Sequence, residues 1–262
     1  MLHYPNIDPV ALSLGPIKIY WYGIMYMLAF FSAWYLGVMR AKKSDTWTQA
    51  QVTDLIFYGA FGVILGGRLG YVLFYKFTDF IHDPLMLVQI WQGGMSFHGG
   101  LLGVLVAMLL FAKKYHKTFY QVTDFVSPLV PLGLGFGRMG NFINGELWGR
   151  VTDVPWGMVF PHAGSLARHP SALYQAFLEG VVLFLIVWIF SSKPRPTMAV
   201  SGVFALGYAI LRIFSEMFRE PDAHIGFVFL NAITMGQLLS FALAIWGILL
   251  IYFAYIKNKE AL

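Results

Sequence analysis

The sequence predicts an all-α, polytopic integral membrane protein with about seven transmembrane helices and a small elaboration on its outer side. Three observations carry this reading. The 262 residues are 58% hydrophobic and only 12% charged, about half the roughly 25% charge of soluble domains. Several apolar runs approach the ~20 residues needed to cross a bilayer core. The basic residues fall mainly in alternate connections between those runs, as in a chain that crosses repeatedly. A single integral membrane domain over residues 1–262 is expected, with 140–171 as a loop region within it.

Seven spans are expected, at about 18–39, 53–75, 97–112, 120–139, 172–190, 198–217 and 232–255. The first follows a polar, proline-bearing start, Met1 to Pro16, which has neither a basic leader nor a cleavage-site pattern. It therefore reads as a retained span and not a signal peptide. Between the second and third spans, Leu85 to Trp91 is apolar but too short to cross, and Gln92-Gly93-Gly94 interrupts it. An interfacial or re-entrant piece fits such a segment. The fourth span runs into a polar stretch, Gly137 to Arg150, and a connection with Lys193 and Arg195 separates the fifth from the sixth.

Sidedness follows from the short connections. One set holds Arg40, Lys42, Lys43, Lys113, Lys114, Lys117, Lys193, Arg195, Lys257 and Lys259, ten of the eighteen basic residues. The other holds Lys18, Lys76, Arg150, Arg168 and Arg219. The positive-inside rule makes the first set cytoplasmic, with the N-terminus outside and the C-terminus inside. The net charge of +5 would suggest nucleic acid in a soluble chain; here the loops account for it, and no nucleic-acid partner is expected.

Three arginines remain, Arg68, Arg138 and Arg212, all on spans that run from inside to outside. At ~1.5 Å per residue each sits roughly 20–26 Å from the inner edge of its span. Random core polarity would not level out in this way, and intramembrane ionisable residues point by default to a site. The densest polarity lies in GRMGNFINGELWGR, residues 137–150. Guanidinium stays protonated and its planar fork matches phosphate, so such a cluster favours an oxyanion. Tyr208, Arg212 and Glu216 share one helix face by their spacing of four. Glu146 lies eight residues past Arg138. These acids could instead neutralise the arginines and simply hold the bundle. Arg68, flanked by glycines in GGRLGY, is the best candidate of the three for a structural role.

His98, in SFHGG at the start of the third span, adds a different group. A helix N-terminus offers free N–H groups to an anion, and Gly99 and Gly100 permit close backbone approach. A neutral imidazole there could accept a proton, although a lone membrane histidine also serves as a hydrogen-bonding core residue. Asn141 and Asn144 could orient a ligand or cap the fourth span. The chain has no cysteine, which excludes disulfides, a cysteine nucleophile and thiolate metal ligation. Any thiol in its chemistry comes from a substrate. No histidine–carboxylate spacing resembles a metal site, and GGRLG lacks the strand-turn-helix setting of a phosphate loop. Neither metal nor cofactor is expected. Intramembrane arginines also line anion transport pathways, but the paired broken helices of transporters are missing from the sequence pattern, which shows one interrupted segment.

The stretches IYWYGIMY (19–26), GGRLGYVLFY (66–75), GGMSFHGG (93–100), GRMGNFINGELWGR (137–150), RHPSALY (168–174) and GYAILRIFSEMFREPD (207–222) together resemble the prolipoprotein diacylglyceryl transferase family of the bacterial inner membrane. The resemblance covers nearly the whole chain. It implies transfer of the diacylglyceryl group of phosphatidylglycerol to the lipobox cysteine thiol of a preprolipoprotein signal peptide. A thioether forms and glycerol-1-phosphate leaves. It further implies that Arg138 and Arg212 are a phosphate-handling pair. His98, Tyr22, Asn141, Glu146, Gly149, Tyr208, Glu216 and Arg219 match other residues around the family's site, with His98 the candidate base. The 140–171 loop would then be periplasmic, and the site would lie in the outer half of the bilayer.

Overall fold

The fold is that of a computed structural model, which describes residues 2–221, 226–229 and 233–259. Asp222 of the last motif lies outside these, as do the side chains of Lys257 and Lys259. Among the described residues, six helices are long and apolar enough to cross a membrane: α1 (Trp21–Ala41), α2 (Gln49–Tyr75), α4 (Phe97–Lys114), a composite helix over Ser171–Phe190, α9 (Ala199–Glu216) and α10 (Met235–Lys259), apolar over Met235–Ile256. The remaining expected span, 120–139, is three consecutive pieces. These are α5 (Phe119–Val126), a 3-10 turn (Ser127–Leu129) and α6 (Val130–Ile143). Pro128 and Pro131 explain the breaks, since each removes a helical donor and its ring crowds the preceding turn. The first span also begins later than expected, because Ile17–Tyr20 forms strand β3, paired antiparallel with β2 (Val10–Leu14). Apolar composition alone does not separate a strand of alternating residues from the start of a helix.

The chain divides into two compact units, Trp34–Thr123 and the remainder. In the first, α2 opens with a capping box between Thr48 and Gln51, and Ser96 caps α4 by accepting from the Gly99 N–H. The two helices meet along a glycine seam. Gly62, Gly66 and Gly70 recur every fourth residue on α2 and face Gly99 and Gly103 on α4. A methyl on Gly66 would strike the Gly99 carbonyl and lie 2.8 Å from the Gly103 Cα. Small residues let helix backbones approach in this way where lipid supplies no hydrophobic drive. Gly99, which follows His98, therefore serves helix packing. Large apolar side chains such as Phe57, Phe61, Leu65, Leu102 and Leu109 stay exposed, as a lipid-facing surface requires.

The connection between α2 and α4 holds the short helix α3 (Phe77–His82) and 3-10 turns at Pro84–Leu87 and Ile90–Gln92, so 85–91 does not span. Arg68 organises it. Only 3% exposed, its guanidinium donates to the carbonyls of Met86 and Leu87 and of Gly93 and Gly94. Positive φ angles of 77° and 81° at Gly93 and Gly94 turn those carbonyls toward it, a course open mainly to glycine.

The second unit carries the β2–β3 hairpin with α1 as far as Ala33, the broken helix from Asp124 onward, the composite helix, α9 and α10. The composite helix consists of α7 (Ser171–Gln175), a π-helical segment (Ala176–Val182) and α8 (Leu183–Phe190). It packs on α6 where Gly135 meets Gly180. The start of α9 is tied by Asp124, whose carboxylate accepts from the backbone N–H groups of Met198 (2.7 Å) and Ser201 (2.8 Å) and from the Ser201 hydroxyl (2.6 Å). Thr234 and Gln237 form a reciprocal cap on α10. Beyond α6, β1 (Leu2–His3) pairs in parallel with β4 (Met158–Val159), over a small core of Tyr4, Phe142, Met158, Phe160 and Ala172. Strands β5 (Phe227–Phe229) and β6 (Ile233–Thr234) pair just before α10.

The seam and the arginine anchor yield two expectations. Gly66→Ala should destabilise the detergent-solubilised protein by about 1–3 kcal/mol in thermal unfolding, whereas Gly59→Ala, with nothing within 4 Å of the new methyl, should match or exceed wild type. Arg68→Ala should lower the melting temperature and open the 83–94 segment to limited proteolysis.

Candidate active site

The second unit buries a chain of alternating charges. Glu179 is fully buried, at the centre of the π-helical segment. Its Oε1 lies 3.3 Å from Arg212 Nη1 and its Oε2 lies 3.6 Å from Arg138 Nε. The Ser215 hydroxyl donates to Oε1 at 3.2 Å. Arg212 then pairs through Nη2 with Glu216 at 2.8 Å, one turn further along α9, and Glu216 lies 3.6 Å from Arg219 Nη1. Among the described residues, Arg138, Arg212 and Arg219 thus alternate with Glu179 and Glu216. Burying any one of these groups alone would be prohibitive; each is tolerable because its neighbours are of opposite sign.

Local structure explains why the chain converges here. The Gly135–Gly180 contact brings α6 against the π segment, and Arg138 follows Gly135 by one turn. Glu216 sits at the N-terminus of α10, where the Thr234 hydroxyl donates to its Oε1 at 3.2 Å. A methyl on Gly236 would lie only 2.9 Å from that oxygen, so glycine leaves room for the carboxylate at a helix end that favours negative charge. Tyr208, on the same face of α9, interacts electrostatically with Glu179, Arg212, Arg138 and Glu216.

Glu146 has a different setting. The α6 helix ends in a Schellman motif: Gly145, at φ 68°, donates to the Phe142 carbonyl, and Glu146 N–H donates to Asn141 O, both at 2.9 Å. This turn folds Glu146 back over the helix end. There the side-chain amides of Asn144 and Asn141 donate to its two oxygens at 3.0 and 3.4 Å. Among the described residues no arginine pairs with Glu146. The acids therefore divide. Glu216 neutralises arginines, while Glu146 borders an open cleft of about 840 Å³ lined also by Tyr22, Gly23, Asn144, Lys18 and Tyr20. The Tyr22 ring lies against Gly140, where a methyl would come within 2.7 Å. Tyr22 interacts electrostatically with both Glu146 and Arg138, so it stands between the cleft and the charge chain.

Gly149 acts through its missing side chain. The 149–150 backbone runs between residues 168–169 and 218–219, with Gly149 N–H donating to His169 O (2.8 Å) and Arg150 N–H to Phe218 O (2.9 Å). A methyl on Gly149 would meet the His169 carbonyl oxygen at 2.6 Å. Arg150 donates to the Arg219 carbonyl and Arg168 pairs with Glu220, which fixes Arg219 beside Glu216. The His169 imidazole contacts Tyr174 and Phe218, and burial pushes its pKa below the ordinary histidine value.

Of the ten residues singled out from the sequence, Arg138, Arg212, Tyr208, Glu216 and Arg219 join the charge chain, and Tyr22 and Glu146 border the cleft. Asn141 orients Glu146, and Gly149 permits the backbone crossing. His98 belongs to the other unit, in the first turn of α4. It is exposed, packs edge-on against Phe97, and has no hydrogen-bond partner among the described residues. The sequence reading missed Glu179. The signal was present, because a lone carboxylate within the apolar run 171–190 is itself an intramembrane ionisable group.

Comparison with known proteins places the chain in a family. The family model for prolipoprotein diacylglyceryl transferase matches residues 9–253. A phosphatidylglycerol–prolipoprotein diacylglyceryl transferase of Legionella pneumophila is 59% identical over 249 residues, covering 95% of this chain and 97% of the relative. The protein of that name from Coxiella burnetii is 58% identical over 261 residues, covering 99% and 100%. Matched across almost its entire length, the chain belongs to the prolipoprotein diacylglyceryl transferase family.

Proposed function

We propose that this protein transfers the sn-1,2-diacylglyceryl group of phosphatidylglycerol to the lipobox cysteine of a preprolipoprotein, the first step of bacterial lipoprotein maturation. The observation that carries the chemistry is the buried charge chain, in which Arg138 and Arg212 from two helices share Glu179. A phosphodiester carries a negative charge whose oxygens match the guanidinium fork. In the reaction the thiol sulfur attacks the glyceryl carbon, a C–S bond forms, and the C–O bond to phosphate breaks. The bonding pair leaves with the phosphate, which becomes the monoester glycerol-1-phosphate and gains negative charge. Guanidiniums already in place stabilise that developing charge most in the transition state.

The Nη atoms of Arg138 make no hydrogen bond to the described residues, and the side chain is 22% exposed, so it can meet a phosphate. Arg212, braced by two carboxylates, adds its charge behind it. Glu146, held by Asn141 and Asn144 beside Tyr22, borders the cleft in which the reacting headgroup and cysteine are to be accommodated. With no cysteine in the chain, the thiol belongs to the signal peptide. A thiol of ordinary pKa about 8.5 must lose its proton to attack efficiently. His98 is assigned as the acceptor, on the strength of an exposed imidazole in the first turn of α4. The protein is read as a multi-pass protein of the inner membrane, with the N-terminus periplasmic, the C-terminus cytoplasmic, and residues 140–171 on the periplasmic side. Arg138 and Arg212 then lie in the outer half of the bilayer, where lipid headgroups and translocated signal peptides meet.

Purified protein mixed with phosphatidylglycerol and a lipobox peptide should release glycerol-1-phosphate, and no release by the wild type would refute the assignment. Arg138→Ala should slow that release by about 10²–10³-fold; an unimpaired variant would remove Arg138 from the phosphate site. His98→Asn should lower the rate and flatten its pH dependence, and full activity across the pH range would exclude His98 as the base.

A further inference from the structure

We infer that Glu179 is a positioning residue for the transfer: it fixes the two phosphate-handling arginines relative to each other and leaves the terminal edge of Arg138 free for the substrate. The inference deepens the proposed function and rests on it. Arg212 is committed at both terminal nitrogens, Nη1 to Glu179 at 3.3 Å and Nη2 to Glu216 at 2.8 Å. Arg138 approaches Glu179 through Nε alone, at 3.6 Å, beyond hydrogen-bond length. A guanidinium directed by its Nε keeps the Nη1–Nη2 edge, a two-donor fork matched to two phosphate oxygens. One carboxylate thus clamps one arginine and aims the other.

The surroundings of Glu179 separate this role from simple charge neutralisation. Glu216 has support besides arginine, from the Thr234 hydroxyl and the start of α10. Glu179 lies inside a span, and its ion-pair and hydrogen-bond partners among the described residues are the two arginines and the Ser215 hydroxyl. It sits in seven consecutive π-helical residues. A π turn holds more residues than an α turn and is a less stable course that recurs at functional sites. An α-helical course through the same residues would rotate Glu179 about the axis, away from its present place between Arg138 on α6 and Arg212 on α9.

The test compares wild type, Glu179→Gln and Glu179→Asp for glycerol-1-phosphate release, measuring kcat and the KM for phosphatidylglycerol separately. Glu179→Gln keeps the shape and removes the charge. Its kcat should fall about 100-fold, the cost of misplacing a reacting group by about 1 Å. Its KM should fall at the same time, because unbalanced guanidiniums bind the ground-state phosphodiester more tightly, and added glycerol-1-phosphate should inhibit at lower concentration. Glu179→Asp retains the charge and should return KM to the wild-type value with part of kcat. An unchanged kcat in Glu179→Gln overturns the inference. So does a loss of kcat with unchanged KM, in proportion to the enzyme that has unfolded, which is the mark of a structural role. Should Glu179→Gln not fold, Ser215→Ala removes the hydroxyl that reaches both the Glu179 carboxylate at 3.2 Å and the Arg212 carbonyl at 3.1 Å, and keeps every charge. It should cost about tenfold in kcat, the worth of one hydrogen bond, and an unchanged kcat again overturns the inference. Wild-type enzyme that released no glycerol-1-phosphate would instead refute the reaction itself, before any variant was compared.

Discussion

A carboxylate buried between two guanidiniums from neighbouring helices is the constraint on which the second unit is organised. Glu179 has no access to solvent, so its ionised form depends on Arg138, Arg212 and the Ser215 hydroxyl. The dependence is mutual. Arg138 and Arg212 repel each other, and a carboxylate shared between them makes their proximity tolerable. Low dielectric strengthens both the attraction and the penalty for losing it. The ion chain therefore dictates how α6, the composite helix and α9 meet, and the helices have to supply a backbone that can meet there.

Glycine supplies it. Gly135 against Gly180 sets the approach of α6 to the π segment, Gly140 admits the Tyr22 ring, and Gly236 leaves space for the Glu216 carboxylate. Outside the bundle, Gly149 lets one backbone thread between two others and so fixes Arg219. At each of these places a methyl group would meet a charged oxygen, an aromatic ring or a main chain. These glycines act as spacers of minimal width around polar side chains, whereas the α2–α4 seam uses the same device for backbone contact alone. Local structure and site chemistry are thus one problem in this chain, since each charged group reaches its partner only where an adjoining side chain has been deleted.

Much of this was legible in the sequence, for identifiable reasons. The apolar runs fixed the helical class and most spans, because length and composition alone decide what can cross a bilayer. The i, i+4 spacing of Arg212 and Glu216 placed both on one face, and they pair there. Arg68, set among glycines, proved to hold a loop through main-chain carbonyls. The misreadings have local causes. Ile17–Tyr20 is apolar enough to pass for helix but pairs as a strand, and Pro128 and Pro131 break a run whose hydropathy is continuous. Gly99 packs against Gly66 and Gly70 of α2. Glu179 escaped notice because attention to arginine-rich motifs passes over a single acid in an apolar segment. Its π-helical setting has no sequence signature, being the outcome of packing around a charge.

The cap at the beginning of α9 has a mechanical consequence. Asp124 grips the helix at Met198 and Ser201, whereas Arg212 lies near the opposite end, roughly 20 Å away at ~1.5 Å per residue. An α-helix transmits an axial displacement almost undiminished, so the position of the guanidinium along the axis is dictated by a pin at the opposite end of α9. Wear at that pin, through a lost carboxylate or a lengthened connection, would slide the charge up or down its shaft.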